Sequence, residues 1–351
     1  AAAAAPIILN IILIISLMVS YILNLNFAKN LSYSVTLAGL IQLFFLIICT
    51  KNYYKPSIKF KIVIKSKLKL FFKKLLPSIF SSGVTQINIL VGTIIASFEA
   101  SAVSYLYYAD RIYQINLAIA GIAVGTVSLP ILSEAIKRKN IFKVSNIQNR
   151  SIELSLLLSI PASLGLIIAS EQIVNALFGY GSFSKENVIM TAAALKFFGY
   201  GIPAFALIKV LSNFFFARNN TKIPFYLSVF VVALNVSLSL IFFKDVGFII
   251  IPIATSLSTW AGVLVYLFLL SRNRFLLLQT MFFKNIVKIF LSTIFMSLIF
   301  SFGLDFFAEN LNYSNKYKSF YLLFIVSFVA TIYLISCYLL GVLKIKNYKL
   351  N

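Results

Sequence analysis

The sequence predicts an all-α polytopic membrane protein with about ten transmembrane helices. Of its 351 residues, 60% are hydrophobic and only 11% are charged, which leaves too little polar surface for a soluble domain of this length. The apolar residues come in runs of about 20, the length that a helix needs to cross ~30 Å of hydrocarbon. Alternating apolar and polar strands are not the pattern, so helices remain as the way to satisfy the backbone in lipid.

Window hydropathy divides the chain into ten apolar segments. The fourth, fifth and sixth are longer than a bilayer is wide, so we expect their ends to protrude or tilt. The ten segments run approximately 6–24, 31–50, 76–98, 103–134, 151–178, 187–217, 223–243, 248–271, 283–303 and 318–341.

The positions of the 31 lysines and arginines indicate how the segments are oriented. Connections after the second, fourth, sixth, eighth and tenth segments carry 22 of them, whereas the opposite connections carry five. Basic residues collect in cytoplasmic loops, so this asymmetry predicts a multi-pass protein of the bacterial inner membrane with a cytoplasmic C-terminus. The connections 51–74 and 135–150 are then cytoplasmic. Four basic residues remain well inside segments: Arg111, Lys196, Lys209 and Lys288. Lys284 and Lys318, at the ends of their segments, are counted with the connections.

The net charge of +22 raises the alternative of a nucleic-acid partner. Its concentration in loops on one side explains the charge without nucleic acid, and no basic face with interleaved aromatic residues accompanies it. We therefore expect membrane lipids, and no nucleic acid, as partners of these loops.

The composition also argues against common enzyme and metal chemistry. The chain has no histidine, and its two cysteines, Cys49 and Cys337, both lie in apolar runs. This leaves no zinc site, no Ser-His-Asp or Cys-His pair and no disulfide framework. We expect no cofactor, and we interpret both cysteines as small side chains facing lipid or the bundle.

Lysine dominates the connection between the second and third segments. From 58 to 70 it mostly alternates with apolar residues, and Lys65, Lys69 and Lys73 also fit the i, i+4 spacing of a helix. We expect a short extended piece leading into an interfacial helix whose lysines contact anionic headgroups. A solvated anchor is the favoured interpretation, and a linker that moves between two lobes is the alternative.

An ionisable group inside the bilayer is costly, so Asp110 and Arg111 in the fourth segment are the first candidates for a site. Helical spacing puts one polar and small face along that helix, formed by Arg111, Gln114, Ala118, Gly121 and Gly125. Such a face suits the wall of a hydrated cavity, where the planar fork of Arg111 meets an anion such as phosphate. The alternative is an Asp–Arg pair that only neutralises itself.

Other polar groups in the segments are weaker candidates. Lys209 and Asn213 lie one turn apart in the sixth segment, downstream of a kink predicted at Pro203. They can face the same cavity, or Lys209 can extend toward cytoplasmic headgroups. Gln86 and Asn88 in the third segment need partners, either in helix–helix hydrogen bonds or in a substrate.

Several stretches resemble one known family in the order in which they occur. YYADRIYQ…GIAVGTVSLPILS at 107–133 resembles the signature of the MurJ (MviN) lipid II flippase family, within the multidrug/oligosaccharidyl-lipid/polysaccharide exporter superfamily. The stretches 76–98, 177–184, 209–225 and 247–260 are also similar to that family. The resemblance covers essentially the whole chain.

The resemblance implies a two-lobed fold of fourteen helices, of which the present ten are the fifth to fourteenth. The chain begins without methionine, and we expect it to lack the first four helices, with other cavity arginines and an essential acidic residue. Residues 1–50 then end the N-lobe, 51–75 form the basic linker, and 76–271 form a C-lobe of six helices. Residues 272–351 hold two helices that form a groove for a lipid tail, and a cytoplasmic tail.

The function implied is transport rather than catalysis. Members of the family move an undecaprenyl-pyrophosphate-linked peptidoglycan precursor, lipid II, from the cytoplasmic to the periplasmic leaflet by alternating access, as part of cell-wall biosynthesis. We expect a monomer without a cofactor, and the membrane potential is a candidate energy source. Arg111 matches the cavity arginine of this lobe, Asp110 matches its neighbour, and Gln114 stands where some relatives carry a carboxylate.

Some relatives bind sodium in this lobe through two carboxylates. Gly92 and Ser239 occupy those two places, although Asn235 and Thr255 still match the pattern. A hard cation needs charged oxygen ligands, so the sequence predicts at most a weak remnant of a sodium site at Asn235 and Thr255.

Three other functions remain as alternatives. A membrane-embedded glycan enzyme needs a catalytic carboxylate or histidine on a large periplasmic loop, which these connections are too short to provide. An exporter of another lipid-linked oligosaccharide or of a small molecule in the same superfamily fits the helix count, but not the YYADR and GTVSLP stretches. An inactive flippase remnant is the third.

Overall fold

The computed structural model describes residues 5–51 and 86–343, which fall into two units on either side of the gap. All regular structure in these ranges is helical, and every one of the ten predicted segments contains helix, which confirms the all-α polytopic fold. Eight helical stretches among the described residues are long and apolar enough to span a membrane. The predicted basic linker, 51–75, lies outside the described residues except for Lys51, as do the start of the third segment and 344–351.

The helices are numbered in chain order. They are α1 (Ala5–Ile22), α2 (Phe27–Thr50), α3 (Gln86–Ala96), α4 (Ala102–Leu117), a π-helical stretch (Ala118–Ala123), α5 (Val124–Lys137), α6 (Ile141–Ile168), α7 (Ser170–Phe178), α8 (Lys185–Phe216), α9 (Lys222–Val246), α10 (Ile250–Arg272), α11 (Thr280–Phe306) and α12 (Lys318–Leu339).

The first unit is an antiparallel hairpin of α1 and α2. Its two helices meet through small polar side chains, because lipid tails give apolar helices no reason to associate and close packing and hydrogen bonds must do so. The Ser34 hydroxyl donates to Ser16 Oγ at 2.7 Å, and Asn30 Nδ2 donates to Ser20 Oγ at 2.6 Å. The side chain of Asn26 caps α2 by accepting from the backbone N–H of Lys29.

The second unit is built around α8, which packs against α4, α6, α7 and α10. Ser184 begins this helix by accepting a hydrogen bond from the Asn187 N–H at 3.2 Å. Small residues let the neighbouring backbones approach closely. Gly199 lies against Ile167 and Leu166 of α6, and the Ser163 hydroxyl donates to the Gly199 carbonyl at 2.7 Å.

Helix α6 carries buried serines at every fourth position: Ser151, Ser155, Ser159 and Ser163. A repeat of four keeps small side chains along one stripe of a helix. The last of them, Ser163, contacts α8 through its hydrogen bond to the Gly199 carbonyl.

The predicted bounds of the fifth segment, 151–178, are wrong at its start. Helix α6 begins at Ile141, ten residues earlier, because Asn140 caps it by accepting from the Lys143 N–H at 2.9 Å. The polar residues of its first turns are satisfied by the connection between α10 and α11. Gln148 donates to the Phe275 carbonyl, and Asn149 donates to the Leu277 carbonyl, each at 2.8 Å.

The same segment also contains a break that was not predicted. The chain leaves α6 at Ala169, and Ser170–Phe178 form the separate short helix α7. Helix α7 contacts α8 and α12, so it closes one end of this unit.

Lys318 is the first residue of the predicted tenth segment and was counted with the connection before it, and its burial was not predicted. It begins α12 and is 1% exposed. Its Nζ donates three hydrogen bonds, to Asn175 Oδ1 at 3.0 Å, to the Gly179 carbonyl at 2.6 Å and to the Tyr313 carbonyl at 2.8 Å. The rings of Tyr180 and Tyr313 flank the ammonium at 4.3 and 4.6 Å. All three donors are used, so a buried cation holds α12 against α7.

We expect Lys318→Met to lower the thermal stability of the protein by about 2 kcal/mol, because it leaves three buried acceptors without their donor. The measurement is thermal unfolding in detergent. Lys316→Met is the matched control, since Lys316 is exposed two residues away. If Lys318→Met melts at or above the wild-type temperature, the desolvation penalty of the ammonium exceeds the stabilisation from its hydrogen bonds and ring contacts.

Candidate functional site

The polar group of α4 contains Tyr107, Asp110, Arg111 and Gln114. Arg111 is exposed, and its Nη2 donates to the Tyr107 hydroxyl at 3.0 Å while its guanidinium carbon lies 4.6 Å from the centre of the same ring. Gln114 Nε2 donates to Asp110 Oδ2. Of the five N–H groups of the guanidinium, the described residues engage one, which leaves the other donors open to an anion.

The alternative of a bonded Asp110–Arg111 ion pair is not what the structure shows. In the ranges 5–51 and 86–343 the one ion pair joins Arg138 to Glu134 at 2.6 Å. Asp110 is instead bonded to an amide, and Arg111 to a phenol. The positive charge of Arg111 is therefore not cancelled by a bonded carboxylate, which favours a role in binding over self-neutralisation.

The buried face of α4 fixes which way Arg111 points. Ala109, Ile112 and Tyr113 are buried in the core of the second unit. The Tyr113 ring stacks on Phe198 of α8 with centroids 5.3 Å apart, and it meets Phe205 edge-on at 5.0 Å. Because these contacts set the rotation of α4, residues 110, 111 and 114 are directed away from α8.

The predicted polar and small face of the fourth segment is exposed at one end and buried at the other. Arg111, Gln114 and Ala118 are exposed as predicted, whereas Gly121 and Gly125 are buried against α8. The π-helical stretch explains the difference, because its i→i+5 hydrogen bonds widen the turn. The wider turn carries both glycines onto the side that faces α8.

Lys209 and Asn213 of α8 lie beside these glycines. Asn213 is 8% exposed, and its Nδ2 donates to the Gly125 carbonyl at 2.7 Å. Lys209 is exposed, and its stem would lie 3.5 Å from a Cβ at Gly121. The structure therefore brings Lys209 and Asn213 together with Gly121 and Gly125 of the predicted face. The amide donor of Asn213 is engaged with the backbone.

Gln86 and Asn88 do not join either group. They lie in the first turn of the described part of α3, where Gln86 is exposed and Asn88 is half-buried. The hydrogen bonds around Arg111 and Asp110 include neither of them.

The residues of the suggested sodium remnant are neighbours in space. Asn235 Nδ2 donates to Thr255 Oγ1 at 3.0 Å, and the Ser239 hydroxyl donates to Asn235 Oδ1 at 3.2 Å. A Cβ at Gly92 would lie 3.7 Å from Ile251, whose carbonyl accepts from Thr255. These side chains bond to one another, so they join α9 to α10 through neutral groups.

An apolar pocket of about 340 Å³ lies between α6, α11 and α12. Pro161 and Gly165 of α6 line one side of it. Met296 and Phe300 of α11 and Ala330 of α12 line the other sides. Helices α11 and α12 are the two that were expected to form a groove for a lipid tail, and α6 adds a further wall to this pocket. A saturated or prenyl chain is the kind of group that such a lining accepts.

The sequence analysis missed one buried acid. Glu153 lies between α6 and α11, where its Oε1 accepts from Asn285 Nδ2 at 3.1 Å. Its place in the apolar run SIELSLLL was the available signal, since a carboxylate within such a run needs a partner.

Long apolar helices packed around α8 define a multi-pass membrane protein. Residues 1–343 match the family model described as "Lipid II flippase MurJ". The chain belongs to that family.

Individual relatives agree with this assignment. A probable lipid II flippase MurJ of Rhizobium meliloti is 38% identical over 274 residues, which are 76% of this chain and 50% of the relative. The corresponding protein of Rickettsia prowazekii is 35% identical over 263 residues, or 74% of this chain and 51% of the relative. The chain thus spans about half the length of these curated relatives.

Solved structures give the same fold. "Lipid II flippase MurJ, inward closed conformation" superposes with a TM-score of 0.76 at 26% identity, over 95% of this chain and 66% of that one. A multidrug resistance MATE family transporter of the MOP superfamily, in its outward-facing conformation, has a TM-score of 0.51 at 18% identity, over 74% of this chain and 60% of that one. The second likeness concerns the fold alone.

The packing of Gly121 yields a testable prediction. A Cβ at this position would lie 3.1 Å from the Ala206 Cα of α8, and a backbone atom cannot swing aside. We expect Gly121→Ala to lower stability by about 1 kcal/mol, because overpacking outweighs the better helix propensity of alanine. Thermal unfolding measures the effect.

Gly165→Ala is the control, since nothing lies within 4 Å of a Cβ built there. It should be neutral or slightly stabilising. Equal effects of the two substitutions would contradict a close contact between α8 and the π-helical stretch.

Proposed function

We propose that this chain is part of a flippase that moves an undecaprenyl-diphosphate-linked peptidoglycan precursor from the cytoplasmic to the periplasmic leaflet. The observation that carries the proposal is Arg111, an exposed guanidinium on a membrane-spanning helix with no bonded carboxylate among the described residues. A cation on a helix within the hydrocarbon layer needs a counter-charge. A diphosphate supplies it and accepts two parallel hydrogen bonds from one guanidinium.

The depth of Arg111 supports the same proposal. It lies nine residues after Ala102, the first residue of α4, so about 14 Å of helix separates it from that end. This distance is close to half the thickness of the hydrocarbon layer. A headgroup that contacts Arg111 is therefore well inside the membrane and in the course of crossing it.

The orientation follows from the basic connections. Their 22-to-5 asymmetry supports an inner-membrane protein with a cytoplasmic C-terminus and with the start of α4 near the periplasm. Access to Arg111 then alternates between the two sides as lobes rock against each other. We propose that this requires neither a bound cofactor nor a second copy of the chain, and that the membrane potential is a source of energy.

The apolar pocket supports a lipid-linked substrate over a soluble one. It offers room for part of a prenyl chain within the same unit that carries Arg111. A transporter for small water-soluble molecules has no need of such a pocket. Asp110 and Gln114 then hold the shape of the polar face, while Arg111 makes the contact with the diphosphate.

The test is complementation of a flippase-depleted bacterium by the full-length gene at matched expression. We expect the wild type to rescue growth and Arg111→Ala to fail, because loss of a charge-assisted hydrogen bond of about 2 kcal/mol slows transport about thirtyfold. Arg111→Lys should rescue partly, since it keeps the charge but loses the planar fork.

Arg138→Ala is the matched control, because Arg138 is exposed at the end of α5 and paired with Glu134. It should rescue fully. Equal rescue by Arg111→Ala and Arg138→Ala would show that Arg111 does not handle the substrate. Failure of the wild type despite normal insertion would point to a remnant or to an exporter of another substrate.

A second prediction concerns the apolar pocket. Ala330→Trp places an indole in the groove lined by Ala330, and we expect plating efficiency to fall on the order of tenfold because a prenyl chain no longer fits. Phe328→Trp is the control, since Phe328 is 54% exposed and does not line the pocket. Equal rescue by the two variants would show that the pocket does not hold the prenyl chain during transport.

A further inference from the structure

Besides the apolar pocket, the second unit contains another cavity, which has polar residues in its lining and does not include Arg111. It measures about 590 Å³ and is bounded by the π-helical stretch, α5, α8, α9 and α10. Lys209, Ser212 and Asn213 of α8 line it, together with Thr126 of α5 and Tyr266 of α10. Its size and its convergent polar groups are those of a ligand site rather than of a packing defect.

The charge of this cavity is positive. Lys209 is the one charged side chain among its described lining residues, and no aspartate or glutamate accompanies it. Within the described residues, the Lys209 ammonium makes neither an ion pair nor a hydrogen bond, and the Tyr266 phenol, on a side chain 2% exposed, has no partner either. Both groups are donors, so together they suit an anion.

Neighbouring contacts hold Lys209 in place. Asn213, one turn later, donates to the Gly125 carbonyl, and the Ser212 hydroxyl donates to the carbonyl of Lys209 at 3.0 Å. Gly121 and Gly125 let the helix that carries them pack closely against α8 beside Lys209, where a Cβ at Gly121 would lie 3.1 Å from the Ala206 Cα. The ammonium is thus presented from a fixed helix into an open volume.

The two cations lie at different depths. Lys209 is level with Gly121 and Gly125, which follow Arg111 by 10 and 14 residues along one continuous helix. That separation corresponds to about 15–20 Å along the helix axis. It is about half of the ~30 Å that a headgroup must cross.

We propose that the cavity around Lys209 is a second diphosphate-binding site, which holds the anion of the lipid-linked substrate at a different depth from Arg111. The inference rests on the proposed function and adds a second site to it. A diphosphate that leaves one cation then meets the next after about half the crossing, so it is never far from a counter-charge in low-dielectric surroundings. With the cytoplasmic C-terminus proposed above, Lys209 lies on the cytoplasmic side of Arg111 and is met first.

The test measures binding by the full-length protein in lipid nanodiscs, with native mass spectrometry as the readout. The probes are undecaprenyl diphosphate and inorganic pyrophosphate, which distinguish recognition of the lipid-linked group from recognition of the free anion. The variants are Lys209→Gln, Lys209→Arg, Arg111→Gln and Ser212→Asp. Lys196→Gln is the matched control, because Lys196 is an exposed lysine of the same helix that does not line the cavity.

We expect Lys209→Gln to raise the dissociation constant for undecaprenyl diphosphate about tenfold, and Lys209→Arg to change it less than about threefold. Ser212→Asp places a carboxylate in the cavity without touching the ammonium and should weaken binding as Lys209→Gln does. Lys196→Gln should bind like the wild type. Weak binding of pyrophosphate that also depends on Lys209 supports recognition of the diphosphate itself.

Two results would overturn the inference, and they differ in whether the proposed function survives. If Lys209→Gln and Ser212→Asp bind like the wild type while Arg111→Gln loses binding, the second site does not exist and the proposed function survives. If the wild type binds no undecaprenyl diphosphate, both proposals fail. Thermal unfolding of each variant verifies that a loss of binding is not a loss of fold.

Discussion

The close burial of α8 is the constraint on which the second unit depends. A bilayer gives apolar helices no hydrophobic gain from association, so shape and hydrogen bonds must hold them together. The sequence meets this need with small residues on both sides of each contact, such as Gly199 against α6 and Gly121 against the backbone at Ala206. Because α8 contacts α4, α5, α6, α7, α9 and α10, its position also determines where the aromatic contacts of Tyr113 and the amide of Asn213 fall. The orientation of Arg111 and the cavity around Lys209 follow from those contacts.

The chain treats its intramembrane cations in two ways. The ammonium of Lys318 has all three donors engaged by neutral oxygens and lies between two aromatic rings, so it is satisfied without a ligand. Arg111 touches one phenol, and Lys209 has no bonded partner among the described residues. A desolvated charge costs several kcal/mol unless it is compensated. The first cation is therefore part of the fold, whereas Arg111 and Lys209 keep donors free, among the described residues, for the anion of the proposed function.

Hydropathy and the positions of the basic residues were enough to predict the helical fold, because length and polarity decide what can span a bilayer. The start of α6 was missed because Gln148 and Asn149 look like loop residues until the carbonyls of the 275–279 connection satisfy them. The burial of Lys318 was not predicted for the same reason, since its partners Asn175 and Gly179 precede it by about 140 residues. Arg111 was predictable from residue type within an apolar run. The absence of a bond between Arg111 and Asp110 was not predictable, because the Asp110 carboxylate instead accepts an i, i+4 hydrogen bond from Gln114.

The π-helical stretch reconciles two demands on a single membrane helix. The part before it must keep Tyr113 on α8 so that Arg111 points to the open side, and the part after it must bring Gly121 and Gly125 against α8. In a regular helix the two glycines would rotate toward the face of Arg111, as the periodicity of the sequence predicts. Wider turns between 118 and 123 delay that rotation, and buried or half-buried positions recur at intervals of four through Tyr113, Leu117, Gly121 and Gly125. The irregular turn thus allows one helix to present a guanidinium at one depth and to form the wall of the Lys209 cavity at another.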